Sequence, residues 1–123
     1  MTGLWIGIGA AGAAGAVARY LLDALIQDRA SGPFPWGTFV INMSGSFLLG
    51  LLTGAALYHG FPATPKIILG TGFCGAYTTF STWTFESVRL VEEGSTTEAF
   101  LNAGLSLAIG LCAAGAGLAL AAR

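Results

Sequence analysis

Four long apolar stretches, roughly 3–26, 36–58, 66–91 and 97–121, run through the chain, parted by short polar or turn-forming segments. A helix needs about 20 mostly apolar residues to cross the hydrocarbon of a bilayer, so the pattern predicts four transmembrane helices. The separators agree. Ser31-Gly32-Pro33-Phe34-Pro35 lies between the first two spans and Gly60-Phe61-Pro62 to Pro65 between the next two, with Glu92-Glu93-Gly94-Ser95 before the last; Gly and Pro are the strongest local breaks. Ser95 followed by Glu98 predicts a capping box opening the fourth helix.

Polar residues recur in register inside these stretches. In span two Thr38, Asn42 and Ser46 are four apart and Thr53 follows, which puts them on one helix face. Span four carries Asn102 and Ser106, and span three Thr79, Ser81 and Thr82. Such residues either bond helix to helix or line a pathway, and three helices each offering a stripe favour the pathway. The stripes present hydroxyl and amide donors and no ring of carboxylates, a lining suited to an anion. Phe80 and Trp83, three apart, either pack as ordinary apolar rings or turn their positive edges toward that anion.

Span three is the odd one. Its segment "GFCGAYTTFSTWTFE", 72–86, has no charge before Glu86 and follows Gly70. Glycine is costly within a helix, and β-branched pairs such as Thr78-Thr79 add reluctance. The cluster predicts a break between Gly75 and Thr79, which membrane depth tolerates only where protein or a watery cavity satisfies the freed backbone. The alternative is an intact helix whose small residues serve close packing.

Composition narrows the class. The chain is 54% hydrophobic and 9% charged, against about 25% charged in soluble domains. No hydrophilic block is left over, so residues 1–123 read as one multi-pass domain in a lipid bilayer; the membrane expected is the cell's inner (plasma) membrane. A net charge of -1 gives no hint of nucleic acid, and the first residues lack a signal-peptide pattern. Cys74 and Cys112 read as buried small hydrophobes, and His59 as a loop residue. No nucleophile–base pair, phosphate loop or metal cluster supports an enzyme. Basic residues nearly tie across the membrane: Lys66 and Arg123 on one side, Arg29 and Arg89 on the other, with Arg19 near the end of span one. Such a chain can insert both ways, and two opposed copies can pair. Four small helices hardly enclose a polar pore alone, so a homodimer is expected.

"GAAGAVARY" (12–20), "GTFVINMSGSFLLG" (37–50) and "GFCGAYTTFSTWTFE" together resemble the Fluc (CrcB-type) fluoride channel family over nearly the whole chain. The resemblance implies a passive fluoride channel that exports fluoride from the cytoplasm. It implies a dual-topology antiparallel homodimer with a broken third helix, two pores and a structural sodium ion at its centre, held by the main-chain carbonyls of Gly75 and Thr78. Family pore positions carry over to Asn42, Phe80, Thr38, Thr79, Ser81, Thr82 and Ser106, and the charged positions near the pore entrance to Arg19 and Glu86. Two departures stand out: Trp83 where the family has a second phenylalanine, and Asn102 where it has a tyrosine. Indole keeps a positive edge and adds an N–H donor. Two rivals remain. A small multidrug exporter needs a membrane-embedded carboxylate, and Asp23 and Glu86 lie toward span ends. A scaffold would use Gly3, Gly7, Gly50 and Gly54 for packing alone.

Overall fold

Helices α1 (Thr2–Gln27), α2 (Trp36–His59) and α5 (Thr96–Ala121) are each long and apolar enough to cross a membrane. The computed structural model describes residues 1–123 and contains no strand. Between α2 and α5 lie two shorter helices, α3 (residues 63–77) and α4 (Phe80–Glu92). Two of the five are not α-helical throughout: α3 is π-helical over Ile68–Cys74, and α5 over Leu101–Leu105. A π turn bonds each N–H five residues back rather than four, so it displaces one carbonyl from its usual donor.

Glycine sets how closely the helices approach. Where α2 crosses α5, a Cβ on Gly50 would strike the Ala114 carbonyl, and one on Gly117 the Phe47 carbonyl. Where α1 crosses α3, a Cβ on Gly72 would stand 2.8 Å from the Ile8 carbonyl, and Gly15 meets Phe73 in the same way. This is packing by small residues, as helices in lipid use it. Gly3 has nothing within 4 Å, so it takes no part. Only 18 of 123 residues are buried, and large apolar side chains such as Leu57, Leu107 and Leu111 cover the outside. In water so large an apolar surface is a liability; in a bilayer it is the solvated face.

Three local expectations are corrected. Ser95 forms no side-chain cap: its N–H already bonds the Leu90 carbonyl at 2.8 Å as the chain turns through Gly94 at φ +81°, so Glu98 has no N–H to claim there. His59 is the last residue of α2 rather than a loop residue, and its Nε2 lies 2.7 Å from the Ala121 carbonyl. Cys74 is buried, but Cys112 is exposed on the outside of α5, where an apolar thiol faces lipid without cost.

Candidate functional site

Helical geometry stops at Tyr77 and resumes at Phe80. Thr78 (φ −75°, ψ 157°) and Thr79 (φ −144°, ψ 120°) are extended, the conformation their β-branched side chains favour. Gly75 itself is helical, at φ −61° and ψ −36°, so the break falls at the Thr78–Thr79 end of the expected window rather than at the glycine. Thr79 caps the next helix: its Oγ1 accepts from the Thr82 N–H at 3.2 Å and donates to Thr82 Oγ1 at 3.0 Å. The Thr78 hydroxyl donates back to the Cys74 carbonyl at 2.9 Å.

Asn42 holds the extended pair from across the fold. Its Oδ1 accepts from the Thr79 N–H at 2.8 Å, and its Nδ2 donates to the Thr79 carbonyl at 3.0 Å. The carboxamide thus stands in for a strand neighbour. In an uninterrupted helix the Thr79 N–H would serve the Gly75 carbonyl, and the Thr82 N–H the Thr78 carbonyl. Both donors are diverted here, the first to Asn42 and the second to Thr79 Oγ1.

Two cavities flank this junction. The larger, about 620 Å³, is lined by Asn42, Ser46, Gly75, Thr78, Thr79, Phe80, Trp83 and Ser106 among others. The smaller, about 170 Å³, is lined by Arg19, Asp23, Thr38, Thr79 and Thr82 with apolar neighbours. Thr79 lines both. Phe80 and Trp83 sit with ring centroids 5.2 Å apart, and Phe80 is 74% exposed. Ser106 Oγ is buried without a partner, a free hydroxyl at the wall of the larger cavity.

Not every expected residue reaches a cavity. Ser81 is exposed and lines neither, lying 3.4 Å from Thr79 Oγ1. Glu86 also lines neither: it is 8% exposed, with Oε1 accepting from Thr38 Oγ1 at 3.2 Å and Oε2 unpartnered. Arg19 makes no ion pair; the one salt bridge in the chain is Arg89–Glu93 at 3.6 Å. Thr53 leaves the polar stripe and bonds the Leu49 carbonyl of its own helix.

The pairing of Trp83 with Asn102 was not legible from spacing. Trp83 Nε1 donates to the Asn102 carbonyl at 2.6 Å, while Asn102 Nδ2 donates to the Trp83 carbonyl at 3.3 Å and to Ser87 Oγ at 2.9 Å. Ser44 and Tyr77, 2.8 Å apart through their hydroxyls, form a second pair missed from the sequence. A serine two places beyond Asn42 points off the polar stripe, so only the fold brings it to Tyr77.

Residues 5–118 match the model of the family described as "CrcB-like protein, Camphor Resistance (CrcB)". The chain belongs to this family. A relative from Symbiobacterium thermophilum, named "Fluoride-specific ion channel FluC 1", is 53% identical over 94% of this chain and 95% of its own. One from Cutibacterium acnes, "Fluoride-specific ion channel FluC 2", is 51% identical over 100% and 99%. A third, from Mycobacterium tuberculosis and also named "Fluoride-specific ion channel FluC 2", is 43% identical over 90% and 85%.

Proposed function

We propose that this chain is a fluoride-selective passive channel that lets fluoride leave the cytoplasm, working as a dual-topology antiparallel homodimer with two pores. The observation that carries the reading is the junction itself, where Asn42 pairs with the Thr79 main chain between a larger, mostly apolar cavity with a few polar groups and a smaller, mixed one. The names of relatives that share about half the chain's residues over nearly all of its length support the ion.

The helices 63–77 and Phe80–Glu92 are then two halves of one interrupted span. Extended backbone with displaced carbonyls is not stable against lipid, and Gly75 and Phe80 both lie on the exposed side. A second, inverted copy covers that face and completes the wall of each pore. Arg19 in the smaller cavity draws the anion in. Beyond Thr79 the donors are the remaining Asn42 N–H, the Ser106 hydroxyl and the positive edge of Phe80. Such contacts are weak and repeated, as conduction requires: entry must be favourable and exit still easy.

A central sodium ion fits the residues present. Gly75 and Thr78 are among the four carbonyls, residues 75–78, whose helical donors the break removes, and neutral carbonyl oxygens suit a monovalent cation. The ion would supply the missing electrostatic partner between the two copies; Asn42 and Thr79 shape the site by taking the competing N–H groups. A proton-coupled exporter would want a carboxylate on the transport path; Asp23 lines the smaller cavity beside Arg19 and Glu86 stands behind its Thr38 wall, but no carboxylate lines the larger cavity. The test is release of fluoride from vesicles holding purified protein, read with a fluoride electrode. Rapid release of fluoride but not chloride is expected, and vesicles that retain their fluoride would refute the reading.

A further inference from the structure

Trp83 and Asn102 hold each other from adjacent helices, and the way they do so decides what the indole can offer the cavity. The π turn in α5 is the cause. Ser106, four residues beyond Asn102, sends its N–H to Leu101 instead, so the Asn102 carbonyl loses the donor that an α-helix would give it. The Trp83 indole N–H supplies the replacement at 2.6 Å. In return the Asn102 side-chain amide donates to the Trp83 carbonyl and to Ser87 Oγ, and Ser87 Oγ donates to the same carbonyl at 2.8 Å. Asn102 is 0% exposed and lines neither cavity, whereas Trp83 lines the larger one.

We infer that Asn102 is a positioning residue that clamps Trp83 with its N–H turned away from the larger cavity, so that the ring offers the permeating anion only its carbon edge. The indole nitrogen is therefore not a fluoride donor, contrary to what the residue type alone suggests. The ring edge still carries the positive rim of the quadrupole, as the neighbouring Phe80 does. The clamp matters because a freely rotating indole would present a strong donor, and strong single sites hinder conduction. This inference rests on the channel reading for its consequence but not for its geometry.

The experiment uses full-length protein carrying Trp5→Phe and Trp36→Phe, two exposed rings that line neither cavity, so that Trp83 is the one indole. Ultraviolet resonance Raman reads whether its N–H is hydrogen-bonded, and fluoride flux is measured in vesicles of the same preparation. In this parent the N–H band is expected at the bonded position and unmoved by saturating fluoride. A fluoride-induced shift would overturn the inference without any further variant. Asn102→Leu removes the side-chain arm of the clamp: the band is expected to move toward the free N–H, with flux down by about tenfold or more. Asn102→Gln, which keeps the amide donor, is expected to recover part of both. If Asn102→Leu alters band or flux without the other, Asn102 does not position the ring for conduction. Should the parent itself pass no fluoride, the channel reading fails, and the Raman titration still judges the clamp.

Discussion

Asn42 offers a chemical test at the scale of one side chain. It gives one N–H and one carbonyl oxygen to Thr79, and aspartate can supply only the acceptor half. Asn42→Asp would leave the Thr79 carbonyl unpaired beside a new negative charge, costing on the order of 1–3 kcal/mol and repelling an anion. Fluoride flux is expected to fall roughly tenfold or more, with a lower melting temperature in detergent; undiminished flux would remove Asn42 from the pore. Thr53→Ala makes the contrast. That hydroxyl serves only its own helix at Leu49, so the change is expected to stay within about 0.5 kcal/mol either way, with flux at the parental level. A Thr53→Ala protein that conducts poorly would put the polar stripe of α2 back into the path along its full length.

At the scale of elements, the hydrophobic pattern was enough to place four apolar segments, three of which are single helices long enough to cross a membrane, because runs of apolar residues and Gly/Pro turns act locally. The stop at Thr78 falls within the 75–79 window that the glycines and the threonine pair suggested: glycines mark where the backbone is permissive, while the β-branched pair decides where it extends. The two π turns left no mark in the sequence, and so neither did the Trp83–Asn102 pairing that depends on one of them. Glycine itself has two meanings in α3. Gly72 touches α1 main chain, whereas the nearest heavy atom to a Cβ on Gly75 is 3.9 Å away. Gly72→Val is therefore expected to cost about 1–3 kcal/mol by overpacking, seen as a lower melting temperature. Gly75→Val has room within the chain and should leave its helices formed, yet lose the dimer in size-exclusion chromatography and lose sodium dependence. If that variant remains a dimer with parental flux, Gly75 does not face a partner.

At the scale of the whole molecule, the near-balance of basic residues across the expected spans leads us to propose that the chain inserts either way. Tagging both ends and probing accessibility in intact cells should find each terminus on both faces; one uniform orientation would demand a separate, opposite subunit. Chain length carries a consequence of its own. A π turn is an α-helix with one residue inserted, so α5 holds one residue more than its span strictly needs. Deleting Ala103 would bring Leu101 and Ser106 to a spacing of four, turning their existing bond into an ordinary α-helical one without rotating anything beyond it. The same deletion at Val40 in α2, which has no π turn, would swing every later residue of that helix by about 100° around its axis and carry Asn42 away from Thr79. Helicity and melting temperature of the two shortened chains should separate sharply, with the α5 deletion folding and the α2 deletion failing. Chains of this kind can therefore differ in length by a residue near Ala103, and stay in register everywhere else.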